Sequence, residues 1–183
     1  MVTSFDELSI DLVLEIFHHL TFTELFQAFF GLQQRIDNAI CSYPAYMDLC
    51  NAIDCNVFHH GSFICRSLKI SNDDLQQFDM INSRLNWTTL RAVTFESISL
   101  NTLMYFLKLL PMHQCESIKI TKINASEDPA HMYQYVWSII VAAGHNCLRY
   151  LYVPHQISRW DTRQLSFDLL ALKSVTLECI STD

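Results

Sequence analysis

One short apolar pattern recurs five times along the chain, and it limits strongly what the chain can fold into. The pattern is apolar-x-x-apolar-x-apolar, and its copies begin at Cys65, Leu90, Cys115, Leu148 and Leu172. The copies read CRSLKI, LRAVTF, CESIKI, LRYLYV and LKSVTL, and their starts are 25, 25, 33 and 24 residues apart. Each copy predicts a short strand with one buried face. Since no copy can bury that face alone, the copies are expected to stack on one another.

A period in the twenties with an L-x-x-L-x-L core is typical of a leucine-rich-repeat solenoid. The sequence therefore predicts an α/β fold in which short strands form a parallel sheet and the intervening segments return as helices. The strands are expected at 68–70, 93–95, 118–120, 151–153 and 175–177. The returning helices are expected at 74–85, 99–110 and 130–143, with a loop insertion at 124–129. No polar cap follows the last copy, which leaves open a short array or a longer protein.

Side chains alternate between the two faces of each predicted strand. The fourth and sixth positions of the pattern point into the core, and the alternate positions point to the opposite, concave face. That face would carry Ser67, Lys69, Ala92, Thr94, Ser117, Lys119, Tyr150, Tyr152, Ser174 and Thr176. Tyrosine is enriched among the residues that anchor protein partners. The candidate contacts with a target protein are Lys69, Thr94, Lys119, Tyr150, Tyr152 and Thr176.

Positive charge is concentrated along the predicted strands, although the chain as a whole is acidic. The strands and their flanks carry seven of the twelve basic residues but only three of the nineteen acidic ones. The basic residues are Arg66, Lys69, Arg91, Lys119, Lys122, Arg149 and Lys173, and the acidic ones are Glu96, Glu116 and Glu178. Two explanations stay open. Exposed strand edges often carry basic residues, and such a face would also hold an acidic or phosphorylated target segment.

Composition and charge argue against several classes of protein. The formal net charge is −7, and residues 1–50 carry seven acidic residues against Arg35 alone, so the basic surface that nucleic-acid binding needs is not expected. No apolar run approaches the roughly 18 residues of a membrane span, and no signal peptide is evident. Seven cysteines are an odd number, which fits a reducing compartment better than a disulfide framework.

Residues 1–42 predict a separate module of three short helices, which residues 43–64 connect to the repeats at 65–183. Ser9 is a plausible N-cap of a first helix that runs to Leu20. Thr21 and Glu24 match the capping box that opens a second helix, and Gly31 suits its end. A third helix face follows from Leu32 to Ile40. Three short helices cannot bury this much Leu, Ile and Phe alone, so the surplus packs on the repeats or docks on a partner.

The N-terminal module resembles an F-box. Leu8 matches the leading leucine of the F-box pattern and Asp11 its acidic position. The two aliphatic pairs and the later leucines are matched by Leu12, Val13, Ile16, Phe17, Leu20 and Leu25. The stretch from Leu32 to Ile36, with Arg35, resembles the closing region. Ser9 stands where the family usually has proline, and Ile36 stands where a bulkier aromatic residue is common. Because the module directly precedes the repeats, essentially the whole chain resembles the F-box/leucine-rich-repeat family.

This resemblance implies a non-catalytic substrate receptor of an SCF-type cullin–RING ubiquitin ligase, located in the cytoplasm, the nucleus or both. The F-box would bind a Skp-type adaptor, which joins the receptor to the cullin, and the repeats would hold the target protein. The adaptor is itself acidic in this family, so the contact would have to be mostly apolar. The implied adaptor contacts are Leu8, Ser9, Leu12, Val13, Ile16, Phe17, Leu20 and Leu25.

Two other classes of function remain open at this point. The chain could be a leucine-rich-repeat interaction scaffold with no ligase role, in which the three helices merely cap the solenoid. It could also be an enzyme, but no local signature frames a nucleophile, and no glycine-rich phosphate-binding motif occurs. Cys55, His59, His60 and Cys65 match no tight zinc spacing. No catalytic residue, metal ligand or cofactor is therefore predicted.

Overall fold

The computed structural model describes residues 7–49, 62–124, 147–154 and 174–178, which form a mixed α/β fold around a parallel sheet. Its α-helices are α1 (Ile10–Phe17), α2 (Phe22–Phe29), α3 (Gln34–Ser42), α4 (Leu75–Asn82) and α5 (Leu100–Leu109). Its strands are β1 (Ala45–Asp48), β2 (Phe63–Ser71), β3 (Leu85–Asn86), β4 (Ala92–Glu96), β5 (Ile98–Ser99), β6 (Ser117–Ile120), β7 (Ile123–Asn124), β8 (Tyr150–Pro154) and β9 (Ser174–Glu178). Short 3-10 helices lie at Asn72–Asp74 and Met112–Gln114.

The main sheet follows the order of the chain. Its strands pair in parallel in the order β1-β2-β4-β6-β8-β9, and the short β3 also pairs with β2. Leu68 lies opposite Val93, Val93 opposite Ile118, and Ile118 opposite Leu151, so the fourth positions of successive pattern copies are in register. β5 and β7 form a separate parallel pair. The five predicted strands are confirmed in position and in their parallel arrangement.

Strand β1 was not predicted, because it lies in the segment 43–64 to which no pattern was assigned. It pairs in parallel with β2, with an irregularity in the register between Ala45 and Tyr46. Ala45 and Met47 are buried, and Tyr46 between them is exposed. The strand thus adds the same alternation of faces as the pattern copies, and it brings Asp48 next to Lys69 on the outer face.

Local capping explains where the N-terminal helices begin and end. The backbone N–H of Leu12 donates to Ser9 Oγ at 3.4 Å, which confirms Ser9 as the N-cap of α1. The capping box at α2 is also confirmed, since the N–H of Thr21 donates to Glu24 Oε2 at 2.8 Å and the N–H of Glu24 donates to Thr21 Oγ1. Gly31 follows α2 with φ +85°, a conformation that favours glycine.

One cluster of buried apolar side chains joins the N-terminal helices to the sheet. The rings of Phe22 on α2 and Phe63 on β2 meet edge-to-face with centroids 5.0 Å apart. Farther along, the ring of Phe106 on α5 lies 4.9 Å from that of Phe78 on α4 and 6.3 Å from that of Phe95 on β4. Burying one such side chain contributes roughly 1.5–3 kcal/mol, so helices and sheet stabilise each other directly.

Two of the three predicted returning helices are confirmed by α4 and α5. Both bury their apolar face against the sheet, and α5 ends at Leu109, two residues before Pro111. The third, at 130–143, lies outside the described residues, as does the predicted loop at 125–129. No helix within the described parts of the chain combines the length and the apolar run that crossing a membrane requires.

Candidate interaction surfaces

The first candidate surface lies on the N-terminal helices, and burial divides its predicted residues into two groups. Val13, Phe17 and Leu25 are almost completely buried in the core. Their prediction as adaptor contacts is therefore corrected: α1 and α2 use these side chains to pack on α3 and the sheet, and a partner cannot reach them. The inward pair on α1 is spaced i, i+4, as expected for one face of a helix.

The remaining predicted adaptor residues keep some contact with solvent. Leu12 is 54% exposed, and Ser9 is exposed beside it at the start of α1. Leu8, Ile16 and Leu20 are half-buried. Two apolar side chains outside the predicted set are also exposed, Ile10 at 40% and Leu32 at 59%. Ile10 and Leu12 lie on α1, and Leu32 lies in the turn between α2 and α3. Ile10 was missed because α1 is apolar on most of its circumference, so its sequence alone does not show which side turns inward.

The second candidate surface is the face of the sheet that points away from the core. Parallel register places its residues in rows that cross the strands. The first, the serine row, contains Tyr46, Ser67, Ala92, Ser117, Tyr150 and Ser174. The second, the lysine row, contains Asp48, Lys69, Thr94, Lys119, Tyr152 and Thr176. All the predicted target contacts except Tyr150 thus belong to the lysine row. The side chains of β9, which include Thr176, lie outside the described set.

Both lysines of the lysine row contact other side chains of the sheet. Lys69 Nζ lies 2.6 Å from Glu96 Oε2 and 3.4 Å from Asp48 Oδ2. The hydrogen bond to Glu96, with help from Asp48, raises the pKa of Lys69 above its ordinary value. Lys119 Nζ lies 5.2 Å from the centroid of the Tyr152 ring, within the range of a cation–π contact. The expectation that Lys69 offers free positive charge to a target is therefore corrected, because Asp48 on the unpredicted β1 and Glu96 already hold it.

A third row precedes the serine row at the beginning of the strands. Its members are Arg66, Arg91, Glu116 and Arg149, and we call it the arginine row. The N–H of Arg91 donates to the carbonyl of Arg66, that of Glu116 to Arg91, and that of Arg149 to Glu116, at 2.7–2.8 Å. These bonds place the four residues side by side on β2 and at the starts of β4, β6 and β8. The sequence could have predicted the arginine row, since the second position of every pattern copy is charged.

A repeated backbone irregularity turns the arginine row outward. The carbonyl of Arg91 accepts from both Glu116 and Ser117, and the carbonyl of Glu116 accepts from both Arg149 and Tyr150. Two successive residues thus face one residue of the neighbouring strand, as in a β-bulge. The arginine and serine rows consequently both avoid the core, although they are adjacent in sequence.

Two of the four described cysteines behave as core residues. Cys65 and Cys115 occupy the first position of their pattern copies and are fully buried. Burial raises the pKa of the Cys115 thiol to about 12 and also raises that of Cys65, so neither thiol ionises near neutral pH. No group of three or more potential metal ligands occurs among the residues that the structure describes. Cys55, His59 and His60 lie outside them.

Exposed apolar side chains on the helices and mixed rows of charge and tyrosine on the sheet both suit contacts with proteins. Comparison of the chain with protein-family models, curated proteins and solved structures found no match.

Proposed function

We propose that this chain is a non-catalytic substrate receptor of an SCF-type cullin–RING ubiquitin ligase. Its N-terminal helices would bind a Skp-type adaptor, which would connect it to the cullin, and the outer face of its sheet would hold a target protein. Within this proposal, α1–α3 are an F-box and the sheet with its returning helices is a leucine-rich-repeat solenoid. The receptor would act in the cytoplasm or nucleus, without a nucleic acid, a membrane or a cofactor.

One observation carries the proposal. Three short helices and their connections leave Ile10, Leu12 and Leu32 exposed to solvent, and they precede a parallel sheet whose strands follow the order of the chain. Apolar side chains left exposed on a small module are typical of a surface that a partner covers. The chain-ordered parallel strands at a period of 24 to 33 residues fit a stacked repeat array.

The decisive experiment measures capture of the adaptor and cullin by variants of the whole chain. Leu12→Asp places a charge where an apolar contact is proposed, and the residue is exposed enough for folding to be retained. We expect this variant to lose about 2 kcal/mol or more of binding free energy, which is roughly a thirty-fold loss of affinity. Phe17 is unsuitable for this test, because truncating a fully buried ring would unfold the module.

Met80→Asp is the matched control for that variant. Met80 is 60% exposed on α4, away from the N-terminal helices, so an aspartate there introduces the same charge on an equally exposed apolar site. Adaptor capture is expected to equal that of the parent chain. Equal capture by the Leu12→Asp variant and the parent would reject the F-box proposal.

A second function, a leucine-rich-repeat interaction scaffold with no ligase role, is favoured by a different observation. The ring of Phe22 packs directly on Phe63 of β2, so α2 lies against the sheet, as expected if α1–α3 cap the solenoid. A parent chain that binds neither adaptor nor cullin, while still capturing a target through the sheet, would support the scaffold and reject the receptor.

A further inference from the structure

The positive charge of the outer sheet face resides in the arginine row. In the lysine row, together with Glu96 beside it, the two carboxylates of Asp48 and Glu96 equal the two lysines in number, and both carboxylates contact Lys69. In the arginine row, Arg66, Arg91 and Arg149 outnumber the single acidic residue, Glu116. Among the described residues of this face, the surplus of positive charge thus lies where the strands begin.

The contacts within the arginine row are long and exposed. Arg91 Nε lies 3.6 Å from Glu116 Oε1, and Arg149 Nε lies 3.9 Å from Glu116 Oε2, with all three side chains at least 40% exposed. Ion pairs of this kind contribute about 0–1 kcal/mol, so an incoming group can displace them at little cost. Arg66 is exposed and has no ion pair within the described part of the chain.

Glu116 shows which chemical group the row accepts. Its carboxylate bridges the guanidinium groups of two neighbouring strands, with one oxygen directed to each arginine. An external carboxylate in the same position would meet the same donors. A phosphate carries about twice the negative charge and would be repelled more strongly by Glu116. A long polyphosphate strand would also meet Asp48 and Glu96 on the same face, which disfavours a nucleic acid.

We propose that the arginine row binds an extended segment of a partner protein that is rich in aspartate or glutamate, and that Glu116 competes with this segment for Arg91 and Arg149. This inference rests on the proposed function, since the segment would belong to the target. Arg66 and Arg149 are three strand spacings apart, or about 14 Å, which four or five residues of an extended chain span. The neighbouring serine row places small side chains under that path, with exposed Tyr150 at one end.

The test uses the whole chain and a fluorescein-labelled peptide of alternating glutamate and threonine, about eight residues long. Its affinity is measured by fluorescence anisotropy at about 20 mM and about 200 mM salt, because exposed charges are screened over that range. The comparison probes are the same peptide with glutamine in place of glutamate, and an oligothymidylate of equal charge. We expect the glutamate peptide to bind best, and most tightly at low salt.

Three variants then test whether the charges of the arginine row determine the affinity for the glutamate peptide. The Arg91→Gln/Arg149→Gln chain should bind the glutamate peptide about two- to five-fold more weakly for each arginine removed. Glu116→Gln should bind it about two- to five-fold more tightly, a gain that loss of structure cannot produce. The Arg84→Gln/Lys108→Gln chain is the matched control, because both residues are exposed, lie outside the three rows and give the same change of net charge. Its affinity should stay within about two-fold of the parent. Circular dichroism verifies that each variant is folded.

Any of four results would overturn the proposal: no binding of the glutamate peptide at low salt, unchanged or weaker binding by the Glu116→Gln variant, an equal loss in the Arg84→Gln/Lys108→Gln control, or tighter binding of the oligothymidylate. The assay contains no adaptor, and none of these substitutions lies on the N-terminal helices. Adaptor capture by the parent chain is therefore measured separately, and either proposal can fail while the other holds.

Discussion

Lys69 lies between carboxylates of two neighbouring strands, so its positive charge forms ion pairs within the sheet. Asp48 on β1 and Glu96 at the end of β4 flank it at 3.4 Å and 2.6 Å. Its pKa is raised chiefly by the hydrogen bond to Glu96. This stabilisation is fully present below the ordinary lysine pKa of about 10.4, and it is lost as the pH rises through the higher folded value. Lys69 therefore ties three strands together.

Replacing Lys69 tests this role at the residue scale. Lys69→Met would remove the cation that Asp48 and Glu96 both contact and should lower the free energy of unfolding by about 1–2 kcal/mol at pH 7. Urea unfolding at pH 7 measures it. Lys119→Met is the control and should cost less, because its described contact is the Tyr152 ring. Equal losses in both variants would contradict the proposed role of Lys69.

At the scale of the element, the turn that follows α2 needs a glycine. Gly31 has φ +85°, and a Cβ added there would meet no atom within 4 Å. Its N–H donates to Asp37 Oδ1 at 2.7 Å, which ties the turn to α3. A side chain at this position would not clash with a neighbour. Its cost would come from the left-handed backbone conformation.

Gly31→Ala should accordingly lower the free energy of unfolding by about 1–2 kcal/mol, the cost of holding an L-residue in the left-handed region. Gly31→Asn is the matched variant, and it should lose less because asparagine tolerates this region better. Thermal unfolding followed by circular dichroism ranks the two. A Gly31→Ala chain as stable as the parent would show that the turn relaxes to another conformation.

The elements differ in how far sequence could predict them. The pattern copies located β2, β4, β6, β8 and β9 because alternation and period act together. β1 has four residues and no copy of the pattern, so only its pairing with β2 identifies it. Sequence is equally limited in predicting surfaces. Leu12 and Val13 are neighbours on an apolar helix, and only tertiary packing determines that Val13 is buried and Leu12 is exposed. Likewise, the partner of Lys69 on β1 could not be inferred before that strand was known.

At the scale of the whole molecule, the described helices and strands share one core. Buried side chains from α1, α2 and α3 belong to the same apolar cluster as those of the sheet. The contact of Phe22 with Phe63 is its most direct link. A receptor built in this way would hold its adaptor-binding helices in a fixed position relative to its target-binding face. Such rigidity follows from packing, because an interior at crystal-like density resists hinge motion.

Phe22→Ala tests this continuity. Removing the buried ring should lower the free energy of unfolding by about 3–5 kcal/mol, and it should reduce hydrogen-exchange protection in β2 and β4 as well as in α2. Gln27→Gly is the control: Gln27 is exposed on the same helix, so the change weakens α2 by about 1 kcal/mol without touching the core. It should leave protection in β2 unchanged. If Phe22→Ala raised exchange only within residues 10–42, the N-terminal helices would be an independent unit and the shared core would not couple them to the sheet.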